Sequence, residues 1–363
     1  MRWSWRIGRI VGIDLYMHLT FLILVGWVAV RHYLARQSVA DALIGVAFIL
    51  CLFAIVVLHE LGHALTARRF GIPTRDITLL PIGGVARLER MPEDPKQELL
   101  VAVAGPAVNV VLAAILFLVL QLGAGPTPLT DLAQVGGNFL SQMLWVNVSL
   151  VLFNMLPAFP MDGGRVLRAL LAMRMDYARA TQIAAIIGQA MAVVFVVAGL
   201  VTGNPFLVFI ALFVWMGAAG ESTMVQMRSA LGGIPVQKAM VTDFRVLAPQ
   251  DPLGRAVEHV LSGFQQDFPV VDQGRVAGVL TRADLLKALA GRGQEGRVGD
   301  VMRRDFETAD PRDMLEGVLG RLQRRGGCRT LPVVHNGQLV GVVTTDNLGE
   351  LLMVEEALRK APR

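Results

Sequence analysis

The sequence predicts a polytopic α-helical membrane protein of about six transmembrane helices, followed by a C-terminal soluble α+β module. Three observations carry this. Of 363 residues, 54% are hydrophobic and only 17% charged, where globular chains run near a quarter charged. Up to about residue 221, long apolar stretches alternate with short polar ones; beyond it, charges become frequent and apolar runs shrink to strand length. That later part also repeats itself. The composition excludes intrinsic disorder. Two cysteines far apart, Cys51 and Cys328, exclude a disulfide-stapled secreted scaffold.

A bilayer-spanning helix needs roughly 20 mostly apolar residues. The stretches that qualify are about 15–33, 43–66, 97–122, 139–157, 180–202 and 205–221. The fourth carries Asn147, Ser149 and Asn154, and the sixth is short. The net charge of +5 and pI near 9.7 invite a nucleic-acid reading, but the charges sit at the ends of spans. Arg2, Arg6 and Arg9 precede the first span. Arg68, Arg69, Arg75, Arg87, Arg90 and Lys96 follow the second, and Arg165, Arg168, Arg174 and Arg179 follow the fourth. The opposite loops near 123–138 and 203–204 carry no Lys or Arg, while Arg31 and Arg36 in the first outer loop dissent. The positive-inside rule therefore predicts a multi-pass cell-membrane protein with both termini cytoplasmic, and no nucleic-acid partner. The expected division is a membrane domain over 1–221, a linker over 222–235 containing Gly232, Gly233 and Pro235, and a soluble pair over 236–363.

The soluble pair is an internal duplication. Residues 269–289 and 332–352 align at an offset of 63, with nine of 21 positions identical, including Gly274/Gly337, Gly278/Gly341 and Thr281/Thr344. Upstream, Met240 and Phe244 echo Met302 and Phe306. Units of about 236–292 and 298–354 each read as strand, helix, strand, turn, strand, helix. One such unit is small for an independent core; two packed together bury more.

Chemistry enters at the end of the second span, His59-Glu60-Leu61-Gly62-His63, an H-E-x-x-H motif. On a helix, positions i and i+4 share a face, so both imidazoles can reach one Zn²⁺ while Glu60 beside them can reach a metal-bound water. Three ionisable residues within five positions of an apolar helix are costly unless they face a cavity, a partner or a metal. Zinc needs a third ligand. Asp162, in the run Asn154 to Arg165, is an acid at membrane depth after Pro157 and Pro160 interrupt the fourth span. The second and fourth spans run in the same direction, which brings the three ligands to a similar depth. A solvated interfacial aspartate is the competing reading. His18, His32, His259 and His335 have no partner at ligand spacing and read as structural or solvated, and Cys51 as a small packed hydrophobe.

These residues resemble the site-2 protease family of intramembrane zinc metalloproteases. The matching pieces are His59 to His63, Gly105-Pro106-Ala107-Val108-Asn109, Asn154 through Arg165, and the segment around Gly83 and Gly84. The resemblance implies that His59, His63 and Asp162 hold zinc and that Glu60 is the catalytic base. It further implies that Asn154 positions substrate, and that a hairpin over 76–90 with Gly83 and Gly84 pairs with an unwound substrate. Gly105, Pro106 and Asn109 would support the site. The repeats resemble tandem cystathionine-β-synthase-type (CBS) domains, which implies adenine nucleotide (ATP, ADP or AMP) at Thr281 and Asp284 in the first unit. The second unit has Thr344 but Asn347 at the acid position, so a complete ribose contact is expected only from the first. A CBS pair without ligand, serving structure or homodimerisation, is the alternative.

The activity so implied is zinc-dependent hydrolysis of a peptide bond in or beside a transmembrane segment of a membrane-tethered protein or peptide, within the lipid bilayer and under nucleotide control. The rival is a CBS-regulated transporter with a metal site; Glu60, which transport does not require, and the lack of visible inverted repeats speak against it. A catalytically dead scaffold is disfavoured by the intact Glu60.

Overall fold

A computed structural model describes residues 3–81, 83–89, 92, 94–124, 138–263, 265–324 and 330–360. Arg2, Arg90, Cys328 and residues 125–137 lie outside the described residues. The chain divides into two units, Met1–Thr223 and Met224–Arg363.

The first unit opens with a hairpin, β1 (Ser4–Ile10) and β2 (Ile13–His18), turning at Val11 and Gly12, both at positive φ. The expected first span over 15–33 is corrected here: it begins as strand, and α1 (Leu19–Arg36) starts only at Leu19. In β2 the inward residues Ile13 and Leu15 alternate with half-buried Asp14 and Tyr16. That period of two vanishes in an average over 19 residues. The hairpin joins β3 (Thr74–Leu80) and β4 (Gly83–Leu88) in a sheet of order β1-β2-β3-β4, parallel only between β2 and β3. Ile13, Leu15, Ile77 and Leu79 pack with Phe21, Phe53, Val57 and Leu61 in one core. One face of the sheet is therefore clamped to α2 (Val39–Arg69).

Helix α2 is capped by Ser38, whose side chain accepts the Asp41 N–H, and ends on Arg68 and Arg69, charges that complement the helix dipole. Then follow α3 (Pro95–Ala124), α4 (Phe139–Asn154), α5 (Asp162–Ala172), α6 (Tyr177–Thr202) and α7 (Pro205–Leu231). Asp176 caps α6, and Gly203 at φ 64 ends it, the left-handed conformation that glycine adopts freely. Among the described residues, four helices (α2, α3, α6 and α7) are long and apolar enough to cross a membrane, while α1 and α4 are apolar but shorter. The six expected spans thus correspond to four full-length candidates and two shorter helices. Helix α4 stops at Asn154 because Pro157 and Pro160 follow; the short α5 was not foreseen as a helix. Helix α7 continues through 222–231, most of the expected linker.

In the second unit each repeat builds a hairpin, β5 (Phe268–Asp272) with β6 (Arg275–Leu280) and β7 (Thr330–His335) with β8 (Gln338–Thr344). The turns fall on Gln273-Gly274 and Asn336-Gly337, all at positive φ, the backbone that two-residue hairpin loops require. The helices are α8 (Leu253–Ser262), α9 (Arg282–Arg292), α10 (Leu315–Arg324) and α11 (Thr345–Lys360). The strand expected to open each unit shrinks to one parallel bridge, Leu247 to Val270 and Ala309 to Val333. The repeats interlock: Val241 bridges to Val342, and Arg303 to Val279. This explains the internal echoes. A Cβ on Gly278 would stand 2.9 Å from Met302 Sδ, and one on Gly341 3.0 Å from Met240 Sδ. Each glycine makes room for the other repeat's methionine.

Candidate metal centre

His59 and His63 lie one turn apart near the C-terminal end of α2, and Asp162 is the first residue of α5. Met161 before it is extended and makes no side-chain cap. The fold brings the three together across a separation of 99 residues. His59 Nε2 is 3.1 Å from His63 Nε2, and Asp162 Oδ2 is 3.2 Å from the first and 3.1 Å from the second. All three residues are buried. A tetrahedral zinc site with bonds of about 2.0–2.1 Å has ligand atoms about 3.3 Å apart. Among the described residues this is the group of metal-capable side chains whose ligand atoms converge.

The other ring nitrogens decide the chemistry. His63 Nδ1 lies 2.7 Å from the Val101 carbonyl, which only accepts, so Nδ1 carries the proton. For His59, two side-chain amides fix the proton. Asn147 donates from Nδ2 to the Met143 carbonyl at 2.9 Å, which fixes that amide. Its Oδ1 accepts from Asn109 Nδ2 at 3.0 Å, and Asn109 Oδ1 then faces His59 Nδ1 at 2.5 Å as acceptor. Both imidazoles so held present Nε2 lone pairs inward, toward a carboxylate. Three acceptors converging in a buried site need a cation between them. Partners of this kind on the far nitrogen orient metal-binding histidines in general.

Room for the centre comes from α3. A Cβ on Gly105 would fall on the Nε2 atoms of both histidines, and one on Gly62 would stand 2.7 Å from the Ala104 carbonyl. Helices α2 and α3 therefore approach closely at a pair of glycines. Pro106 sits inside α3 next to Gly105, where proline removes a backbone donor. Gly163 and Gly164 let α5 start against the Met155–Phe159 backbone.

Glu60, between the two histidines in sequence, reaches the sheet. Its Oε2 accepts the Ala86 N–H at 3.1 Å. A Cβ on Gly84 would stand 2.9 Å from Val56 Cγ1 and 3.0 Å from Glu60 Cγ. Gly83, at φ 135, begins this strand. The edge strand β4 therefore lies directly on the glutamate. Asn154, the last residue of α4, is half-buried.

Sequence reasoning overlooked Asn147, read only as a polar blemish in a span, and the Val101 carbonyl, which carries no sequence signal. A pair of asparagines on adjacent apolar helices was the available hint. Cys51 is exposed, not packed. His18 caps α1 beside Thr20, and His32 bonds the Val28 carbonyl.

In the second unit, Thr281 and Thr344 cap helices. Thr281 Oγ1 accepts the Asp284 N–H at 3.1 Å, and Thr344 Oγ1 accepts that of Asn347 at 3.1 Å. Asp284 also pairs with Arg303 at 2.5 Å, and the guanidinium and the Thr281 hydroxyl hold its carboxyl below the usual range despite partial burial. A cleft where the repeats meet is lined by Val279, Arg303, Phe306, Arg321 and Thr330 among others; the four expected nucleotide residues are outside that lining.

Comparison with known proteins identifies the family. Peptidase family M50 matches residues 47–135 and 130–197, and the CBS domain matches 234–291 and 298–353. A zinc metalloprotease of Methanocaldococcus jannaschii is 32% identical over 356 residues, 98% of each chain. Stage IV sporulation protein FB of Bacillus subtilis is 32% identical over 133 residues, 36% of this chain and 43% of that one. The solved site-2 protease from Methanocaldococcus jannaschii is 38% identical, covers 61% of this chain and 95% of that one, and superposes with a TM-score of 0.45. With a relative this similar end to end, the chain belongs to peptidase family M50, the site-2 protease family of zinc metalloproteases, and carries a tandem CBS module.

Proposed function

We propose that this protein is an intramembrane endopeptidase that hydrolyses a peptide bond in or next to a transmembrane segment of a membrane-tethered substrate. The observation that carries the reading is the juxtaposition of the His59–His63–Asp162 cluster with Glu60 and the edge strand β4. The three ligands would hold zinc, which when bound supplies Lewis acidity for activating water and polarising a carbonyl. Glu60 takes the proton from the attacking water and returns it to the leaving amine. A substrate helix hides its carbonyls in internal hydrogen bonds and must unwind before cleavage. Pairing along β4, the sheet edge next to Glu60, offsets the bonds so lost. Gly83 and Gly84 keep that strand free of side chains at the site. Asn154 would orient the substrate backbone.

The membrane domain over 1–221 is read as multi-pass with both termini cytoplasmic, from the basic residues at the ends of α2 and around α5. The CBS pair would bind ATP, ADP or AMP and regulate the protease. Thr281 and Asp284 would be released from their cap and ion pair to do so, with Thr344 and Asn347 making the weaker half, and homodimerisation would run through the same pair.

The test is Glu60→Gln. The variant should retain zinc, lose cleavage, and trap substrates that mass spectrometry can identify. Normal turnover by this variant would exclude Glu60 as the base.

A further inference from the structure

Arg168 is buried without exposure in the first unit. On sequence it reads as one of the cytoplasmic loop charges. Its guanidinium instead donates from Nε to Glu98 Oε1 at 2.8 Å, and its two terminal nitrogens reach Glu98 and Glu221. The Phe159 and Tyr177 rings face it, each 5.0 Å from the guanidinium carbon. One side chain on α5 thus engages α3 through Glu98, α6 through Tyr177 and α7 through Glu221. It also holds the loop before α5, through Phe159.

A buried ion network of this kind is weak evidence for stability, because apolar residues of the same size often serve as well. What it supplies is a fixed geometry, since a planar fork satisfies two carboxylates in one orientation only. Helix α5 needs fixing. It has 11 residues, and Gly163 and Gly164 in its first turn are poor helix formers. Its first residue is Asp162, and Phe159 stands three positions earlier in the chain.

We propose that Arg168, with Glu98 and Glu221, is the positioning residue for the third metal ligand, holding α5 and the Phe159 loop so that the Asp162 carboxylate stays on the two imidazoles. Arg168 touches neither substrate nor metal ligands; it acts through the helix that it anchors. The inference rests on the zinc reading above.

The experiment uses the full chain in nanodiscs, as wild type and as Arg168→Met, Arg168→Lys, Glu98→Gln and Glu221→Gln. Zinc affinity is read by chelator competition, ligand geometry by the visible spectrum of the cobalt-substituted protein, and folding by thermal unfolding of the apo form. Arg168→Met should fold, bind zinc about 10- to 100-fold more weakly, as loss of an outer-shell partner does elsewhere, and show an altered cobalt spectrum. With a transmembrane peptide, kcat should fall while KM holds. Arg168→Lys should recover part of the affinity, and Glu221→Gln, at the half-exposed end, should show the smallest loss. A folded Arg168→Met with wild-type affinity and spectrum overturns the proposal. If Arg168→Met does not fold, unchanged affinity and spectrum in both glutamine variants overturn it equally. Wild type that binds no zinc overturns this inference and the metal reading together, whereas zinc-binding wild type with unaltered variants removes the positioning role alone.

Discussion

Asn109 and Asn147 form a directed relay: Asn147 receives an Asn109 amide hydrogen at 3.0 Å, and this turns the Asn109 oxygen toward His59. Neither residue belongs to the His59–His63–Asp162 trio, yet together they set which His59 nitrogen is free. Asn147→Leu leaves the Asn109 amide without its acceptor in a buried site, at a cost of about 1–3 kcal/mol, and frees that amide to flip. Zinc affinity should drop about 10-fold or more. Asn109→Leu should drop it further. Chelator competition on the purified variants measures both.

Gly105 tolerates no side chain. Gly105→Ala places a methyl on both Nε2 atoms, so zinc should be lost while the helices persist. Elemental analysis and circular dichroism read the two effects. Stoichiometric zinc in this variant would mean the histidines point elsewhere.

Gly84→Val tests the proposed base separately from the proposed zinc site. The added group must displace Val56 or Glu60, and misplacing a catalytic group by about 1 Å can cost about 100-fold in rate. The expected outcome is retained zinc, a kcat lower by about 10- to 100-fold, and cleavage partly recovered by Gly84→Ala. Single-turnover assays on a transmembrane peptide decide it.

Acid should loosen the second unit at Asp310. Its carboxyl accepts the Arg312 N–H at 3.0 Å and the Arg312 side chain at 3.1 Å, with His335 close by. These donors pull its pKa down to about 2. A group depressed in the folded state contributes stability above its unfolded value, about 3.9, and loses it as pH falls through the folded value. Asp310→Asn should therefore flatten the decline of the second unit's Tm between about pH 4 and pH 2. An unchanged slope would count against the loop geometry at 310–312.

Much of this centre was readable in the chain. His59 and His63 are tied by helical periodicity, a local property, and Glu60 comes with them. The duplication was readable because Gly278/Gly341 and Met240/Met302 repeat at nearly constant spacing, and the interlocked packing shows why those types recur. The hairpin ahead of α1 was hidden, because its alternating residues average to the hydropathy of a span. Helix α5 was hidden by its glycines.

On its own, the amino-acid order carried the family resemblance, the two halves and the H-E-x-x-H motif, because each rests on residue type at short or repeated spacing; the expectation that Asp162, 99 positions beyond His63, joins the two histidines came from span direction and the resemblance. Only the tertiary structure decided which nitrogen of each imidazole is free, that β4 lies against Glu60, and that Arg168 is an anchor, not a solvated loop charge. Those properties depend on groups that meet across 26 to 70 positions. Distance along a chain carries no information about a hydrogen bond until packing has chosen its partner.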